Sequence, residues 1–289
     1  MNYLKIKSIK KINRLDRYDL TVNTTHNFFA NNILIHNTSF VSSKILCKKP
    51  LTWSEKILKK LKVNIVDTHY DYVYSSRKVI KNVELTTDPI HYYNTDIWGK
   101  AHDVVKHNLL DGMTMYGEIV GFTPEGGAIQ KDYDYGYIPN PDLPKEGERL
   151  PFPKSTFGVY IYRITQTNNS GKVFEFSGKQ VQDFCKKNGL NPVPELYYGR
   201  AKELLGKNWT YYSNPDETFE DWILRSLKEK YNEKNCYICL NKVPEEGIVV
   251  RIEGLDIEAY KVKSNAFYAR ETAQLDKGEV DIESQDDVE

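Results

Sequence analysis

The stretch Glu246–Lys263, EGIVVRIEGLDIEAYKVK, decides the fold. It holds two short runs, EGIVVRIEG and EAYKVKS, rich in β-branched and aromatic residues, and they read as a pair of strands. In a strand, alternate residues share a face, so Lys261 and Lys263 point the same way into one groove. Working outward, NAFYARETAQLDKG follows as a helix, and DETFEDWILRSLKEKY, GRAKELLG and GKQVQDFCKKNG precede as helices. Upstream of these, FGVYIYRITQT and KVFEFSG read as a hairpin around Asn169-Ser170-Gly171. MTMYGEIVGF and YDYVYSSRKV are further strands, and TDIWGKAHDVVKHNLLDG is a helix closed by a glycine. TWSEKILKKLK reads as a short amphipathic helix capped by Thr52 or Ser54. Between Thr123 and about Thr156 lies a loop rich in Gly, Pro, Asp and Tyr, and a loop of that length is often functional. Strands and helices mix without regular βαβ alternation, which predicts an α+β fold.

The chain has 289 residues, 40% hydrophobic and 12% aromatic, enough for a real core in one large domain or two smaller ones. No apolar run approaches the ~20 residues of a membrane span, so no membrane partner is expected. No secretion signal is visible, and four cysteines are too few for a disulfide scaffold. The expectation is a reduced, cytoplasmic protein. Cys236-Tyr237-Ile238-Cys239 has zinc-ligand spacing but needs two further ligands, so buried free thiols are the simpler reading. The formal net charge is zero but unevenly placed. Residues 1–37 carry six Lys/Arg against two acids, and Glu271 onward carries eight acids and one lysine. The body between them is slightly positive, which permits nucleic-acid contact through a local groove.

The first segment is strand-like, with Asn-rich turns, and ends in Ile35-His36-Asn37-Thr38 after Asp19 and His26. Asp19 and His26 are seven apart, His26 and His36 ten apart, and the segment begins at a methionine. This arrangement resembles the C-terminal splicing region of inteins, here as the C-fragment of a trans-splicing split intein spanning residues 1–37. An asparagine amide can attack its own carbonyl, close a succinimide and cut the next peptide bond, and positioning gives such a closure a large effective molarity. His36 is placed to polarise that carbonyl or protonate the departing amine. Thr38 supplies the hydroxyl that accepts the upstream segment, and needs a neighbouring base to do so. The resemblance assigns His26 and Asp19 to the acyl-transfer and coordination steps. A segment this short cannot bury enough surface to fold alone, so the resemblance implies a second chain carrying the N-terminal intein fragment.

Downstream, Thr38-Ser39-Phe40 resembles the residues that follow Lys-x-Asp-Gly in ligases and capping enzymes that pass through lysyl-AMP. No Lys-x-Asp-Gly occurs in this chain. Further stretches appear in the order of the nucleotidyltransferase superfamily, in its phage RNA ligase 2-like branch. They are Ser75-Ser76-Arg77, then Tyr116-Gly117-Glu118 with Ile129-Gln130-Lys131 and Tyr135-Gly136, then Val159-Tyr160-Ile161-Tyr162, Glu246-Gly247 and Tyr260-Lys261-Val262-Lys263. The resemblance implies a mixed α+β adenylation domain over 38–270, followed by a helix end and acidic tail over 271–289. It also implies ATP and Mg2+ as cofactors, RNA or nicked nucleic acid as substrate, and a phage or bacterial host. Lys261 and Lys263 would hold the α-phosphate, and Glu118 and Glu246 ribose hydroxyls, the lysine ammonium or, for Glu246, magnesium. Tyr162, with Tyr160 as runner-up, would stack adenine, and Arg77 would grip phosphate. Only 26 residues follow Lys263, which leaves open RNA, nicked duplex or DNA as substrate. A DNA ligase, a capping enzyme and a non-catalytic binding protein on the same fold remain alternatives.

Overall fold

A computed structural model describes residues 39–76, 80, 95–138, 156–205, 215–231, 233–253 and 257–276. The expected splicing residues Asp19, His26, His36, Asn37 and Thr38, together with Arg77 and the acidic tail, lie outside the described residues.

Among the described residues, six strands make the main sheet: β1 (Ser39–Lys48), β2 (Thr68–Ser75), β3 (Met113–Gly121), β4 (Phe157–Thr167), β5 (Val173–Glu175) and β6 (Asn191–Pro192). Their order is β2-β1-β3-β4-β5, with the two-residue β6 beside β4. The neighbours along that order pair antiparallel, and only β6 runs parallel to its partner. The fold is therefore mixed α+β with an antiparallel sheet. The expected β4–β5 hairpin forms, and Asn168 explains its turn. Its Oδ1 accepts from the backbone N–H of Ser170 and Lys172 and from Ser170 Oγ.

Strand β1 is not legible as a strand from its own residues, because Ser39, Ser42 and Ser43 blur the alternation of apolar and polar positions. It forms because it is paired on both sides, to β2 and to β3, so its backbone groups are satisfied in the ladder. One face of the sheet carries Phe40, Met113, Met115, Ile119, Val159, Ile161 and Ile164, all buried. Helix α2 (Ile97–Val105) joins this core with Trp98, Ala101 and Val105, and α3 (Gly178–Asn188) with Val181 and Cys185. Each has a side-chain N-cap that accepts from a backbone N–H in the first turn, Asp96 from Gly99 and Ser177 from Gln180.

Two helices depart from the sequence reading in instructive ways. Helix α2 ends at Val105, not at Gly112, and passes through a 3-10 turn at Lys106–Asn108. Gly112 instead makes the turn into β3 at φ 79°, where a Cβ would sit 2.1 Å from the Thr167 carbonyl oxygen. Helix α1 (Trp53–Lys60) takes Thr52, one of the two expected candidates, as its cap in a capping box with Glu55, but it buries none of its residues. Buried polar side chains pair with each other: Ser42 Oγ is 2.6 Å from His102 Nδ1, and burial lowers the imidazole's pKa. Tyr74 stacks on that ring at 5.1 Å.

Helices α4 (Ala201–Leu205), α5 (Phe219–Tyr231) and α6 (Asn265–Asp276) complete the described elements with β7 (Gly247–Glu253) and β8 (Ile257–Lys263). β7 and β8 form the second, two-stranded sheet that the opening stretch predicts. Val249–Lys261 falls in a different compact unit from the other described residues. Among the described residues no helix is long and apolar enough to cross a membrane.

Phe40 is fully buried where β1 meets β3, so Phe40→Ala removes a ring from the most constrained part of the core. Urea denaturation should show a loss of about 3–5 kcal/mol. A loss under about 1 kcal/mol would mean that β1 is not integral to the sheet.

Candidate active site on the central strands

Glu118 lies in the middle strand β3, opposite Ser39 of β1 on one side and Tyr160 of β4 on the other. Ser39 Oγ donates to Glu118 Oε1 at 2.5 Å. The residue before it, Gly117, is required by space: a Cβ there would meet Phe40 Cε1 at 2.4 Å and the Tyr160 carbonyl oxygen at 2.7 Å. Glycine therefore lets β1 and β4 close against the strand that carries Glu118.

The β3–β4 register breaks at this point. Tyr116 pairs with Arg163 and Gly117 with Ile161, which leaves Tyr162 as the extra residue of a bulge. Bulges re-aim side chains and are frequent beside functional sites. Tyr162 is half-buried, and its hydroxyl is enclosed near Ser39. Burial, with the Glu118 charge adding to it, pushes that phenol well above its ordinary pKa. The next residue, Arg163, is 3% exposed and makes a bidentate pair with Glu175, Nε to Oε1 at 2.9 Å and Nη2 to Oε2 at 2.6 Å. Its guanidinium lies 4.7 Å from the centroid of the Tyr116 ring. Tyr162 Oη and Arg163 Nη1 are both buried without a hydrogen-bond partner among the described residues. Two orphaned polar atoms on consecutive residues are costly unless a further group completes them. The sequence reading named Ser39 only as part of Thr38-Ser39-Phe40, with no role of its own, and did not single out Arg163. An arginine in the middle of an apolar strand, with Glu175 across the hairpin, is the signal that could have found the latter.

The segment after β3 is tied back to structure at many points. Gln130 Nε2 donates to the Ile119 carbonyl at 2.8 Å. Tyr133 Oη donates to the Pro244 carbonyl at 3.0 Å, and Asn241 bridges the Asp132 carbonyl and the Asp134 N–H. Arg270 of α6 pairs with Asp132 at 2.7 Å and lies over the Tyr133 ring. Gln130 thus reads as a positioning residue that ties this loop back to β3, and Tyr133 as one that holds it against the segment leading to Glu246.

Glu246-Gly247 and the paired-lysine strand meet through their backbones. The Glu246 carbonyl accepts from Ser264 N–H at 2.9 Å, and Ser264 Oγ donates to the Glu245 carbonyl at 2.7 Å. Gly247, at φ 155°, lies so close to β8 that a Cβ would sit 2.1 Å from the Val262 carbonyl oxygen. The glycine of the Glu-Gly motif is therefore what allows the motif to lie alongside Val262–Lys263. The Lys263 ammonium lies 5.5 Å from the Phe267 ring and 5.4 Å from the Tyr268 ring, a cation–π setting. Lys261 is half-buried and belongs to the unit Val249–Lys261.

Beside Glu246, the Glu245 carboxylate accepts from Tyr237 N–H at 3.3 Å, and burial raises its pKa. The thiols of Cys236 and Cys239 are free, and burial raises both pKa values. Among the described residues, no group of three or more His, Cys, Asp or Glu is arranged to hold a metal ion.

The antiparallel α+β sheet, with these motif strands on it, fits a nucleotidyltransferase-like domain. The family model for RNA ligase matches residues 62–263, and the chain belongs to the RNA ligase family. A search among curated proteins finds no match.

Gly247→Ala should cost about 1–3 kcal/mol from backbone strain alone, read as a lower urea midpoint. An unchanged midpoint would mean that Gly247 and Val262 are not in contact. Glu245 gives a pH signature. Its folded pKa is raised, so the native state holds a proton that the unfolded chain has released, and stability falls as pH rises through that window. Glu245→Gln should remove this dependence and match or exceed the wild type at neutral pH. A mutant that follows the wild-type pH curve would place the carboxyl in solvent.

Proposed function

We propose that this chain is the downstream half of an ATP-dependent RNA ligase, joined by protein trans-splicing to a second chain that supplies the attacking lysine. The observation that carries the proposal is the contact between Ser39 and Glu118. Ser39 lies one residue after the expected splice position and hydrogen-bonds the carboxylate in the middle of the sheet. A Lys-x-Asp-Gly sequence joined at Thr38 would therefore enter the sheet beside Glu118 and close to the enclosed hydroxyl of Tyr162. The absence of that motif from the sequence and the intein-like residues before Thr38 support the same reading.

In this reading Asn37 cyclises to release the intein, with His36 assisting, and Thr38 carries the upstream half as an ester before the shift to a peptide bond. Asp19 and His26 support the acyl-transfer steps. The joined ligase then makes three nucleotidyl transfers. The lysine amine, having lost a proton, attacks the α-phosphate of ATP, and pyrophosphate leaves. The AMP moves to a 5′-phosphate oxygen and frees the lysine. A 3′-hydroxyl then attacks that phosphate, the new phosphodiester forms and AMP leaves. Lys261 and Lys263 stabilise charge on the α-phosphate oxygens and hold down the pKa of the attacking amine. Tyr162 offers its ring to adenine, Glu118 and Glu246 take ribose hydroxyls or the lysine ammonium, and Arg77 grips phosphate. The donor set suits magnesium only when nucleotide phosphates complete its shell, as magnesium sites commonly do, with Glu246 as the protein ligand. Bound there, the ion would neutralise phosphate charge.

The test is to mix this chain with a partner that carries the N-terminal intein fragment and ends its ligase half in Lys-x-Asp-Gly, then add ATP labelled in the α-phosphate. The joined protein should carry label, and should seal 5′-phosphate and 3′-hydroxyl RNA ends. This chain alone should remain unlabelled, and Asn37→Ala should block release of the intein. Splicing without a covalent adduct would refute the ligase reading, and normal splicing by Asn37→Ala would refute the splicing assignment.

A further inference from the structure

Helix α1 presents a surface that neither the sheet core nor the proposed active site uses. The segment from Lys48 to Lys62 holds six lysines and a single acid, Glu55. The helix is well capped and amphipathic, yet its apolar side faces outward: Trp53 is 79% exposed, and Ile57, Leu58 and Leu61 are also exposed. Leu51, Trp53, Lys56, Ile57, Lys59 and Lys60 line a shallow groove. Positions 53, 56, 57 and 60 lie on one helix face, so the indole and two ammonium groups share it. Two other lysines of the segment are occupied by carboxylates, Lys49 by Glu55 and Lys59 by Asp67. Lys56 and Lys60 have no ion-pair partner among the described residues.

We propose that this face of α1 binds single-stranded RNA, with bases stacking on Trp53 and backbone phosphates held by Lys56 and Lys60. A planar aromatic side chain beside cations is the combination that holds single strands with little regard to sequence. Protein interfaces share the aromatic enrichment but are depleted in lysine at their centre, and here the lysines alternate with the apolar residues. The placement is also consistent with a strand running across the domain. β1 leads from Ser39, beside Glu118, over ten residues to Lys48, and α1 follows at that far end. At ~3.3 Å per residue the groove lies about 30 Å along the strand from the proposed site of chemistry, a distance that several nucleotides span. The choice of RNA rests on the family membership and on the function proposed above, whereas the site itself requires no chemistry from the missing lysine.

The test is binding of a short fluorescent single-stranded RNA to this chain, without ATP, by anisotropy over a range of salt concentrations. Trp53→Ala should weaken binding roughly tenfold, and Trp53→Phe should retain most of it. Lys56→Glu with Lys60→Glu should weaken binding and lower the salt slope by about 1.4. All three positions are exposed, so the urea midpoint should hold. RNA affinity and salt slope equal to wild type in these variants would overturn the proposal. If the same variants kept RNA binding but no longer associated with the partner chain, the face would be a protein interface and the proposal would be wrong. Failure here leaves lysyl-AMP formation untouched, and failure of adenylation leaves this binding result readable.

Discussion

Pairing between β1 and β3 holds Ser39 opposite Glu118, and most of the candidate site depends on that register. In a ladder a slip of one residue moves every side chain to the other face. The slip would take Ser39 from Glu118 and drive Phe40 out of the core. The register is kept by bulk on one face and absence of bulk on the other side of the same contact: Phe40 fills the space that Gly117 leaves open. Core packing and site geometry are therefore one constraint, and the first described residues of the chain are part of it.

A second layer of the site is made by backbone, not by side chains. The bulge at Tyr162 turns two consecutive polar residues into an enclosed region, and Glu175 neutralises the buried Arg163 there. Gly247 brings the Glu-Gly turn against Val262, and Ser264 closes the join through both Glu245 and Glu246 carbonyls. The Glu-Gly motif and the end of the paired-lysine strand are thus held together through backbone groups. Glycine and serine carry much of that work, and the charged residues are held by it.

The legible parts of the sequence were those with a local physical signature. Runs of β-favouring residues revealed β3, β4, β7 and β8, and a cap at Thr52 or Ser54 marked the start of α1. β1 escaped because its serines are made compatible with burial only by partners: Ser39 by Glu118 and Ser42 by His102. The α2 terminus was misplaced because Gly112 serves the turn into β3 against Thr167, a contact invisible in one dimension. The motif residues Glu118, Tyr162, Glu246 and Lys263 could be named from order along the chain, and all four lie within the stretch 62–263 that the family model covers. Their setting could not be named. Arg163 and the bulge emerge only once β3 and β4 are paired.

The central claim is that the nucleophile enters from another chain at the start of β1. Its most direct test is peptide mapping by mass spectrometry of the joined protein after incubation with ATP. The account predicts AMP on the lysine of a Lys-x-Asp-Gly sequence that runs directly into Thr38-Ser39-Phe40. AMP on a lysine that belongs to this chain, Lys261 and Lys263 included, would contradict it.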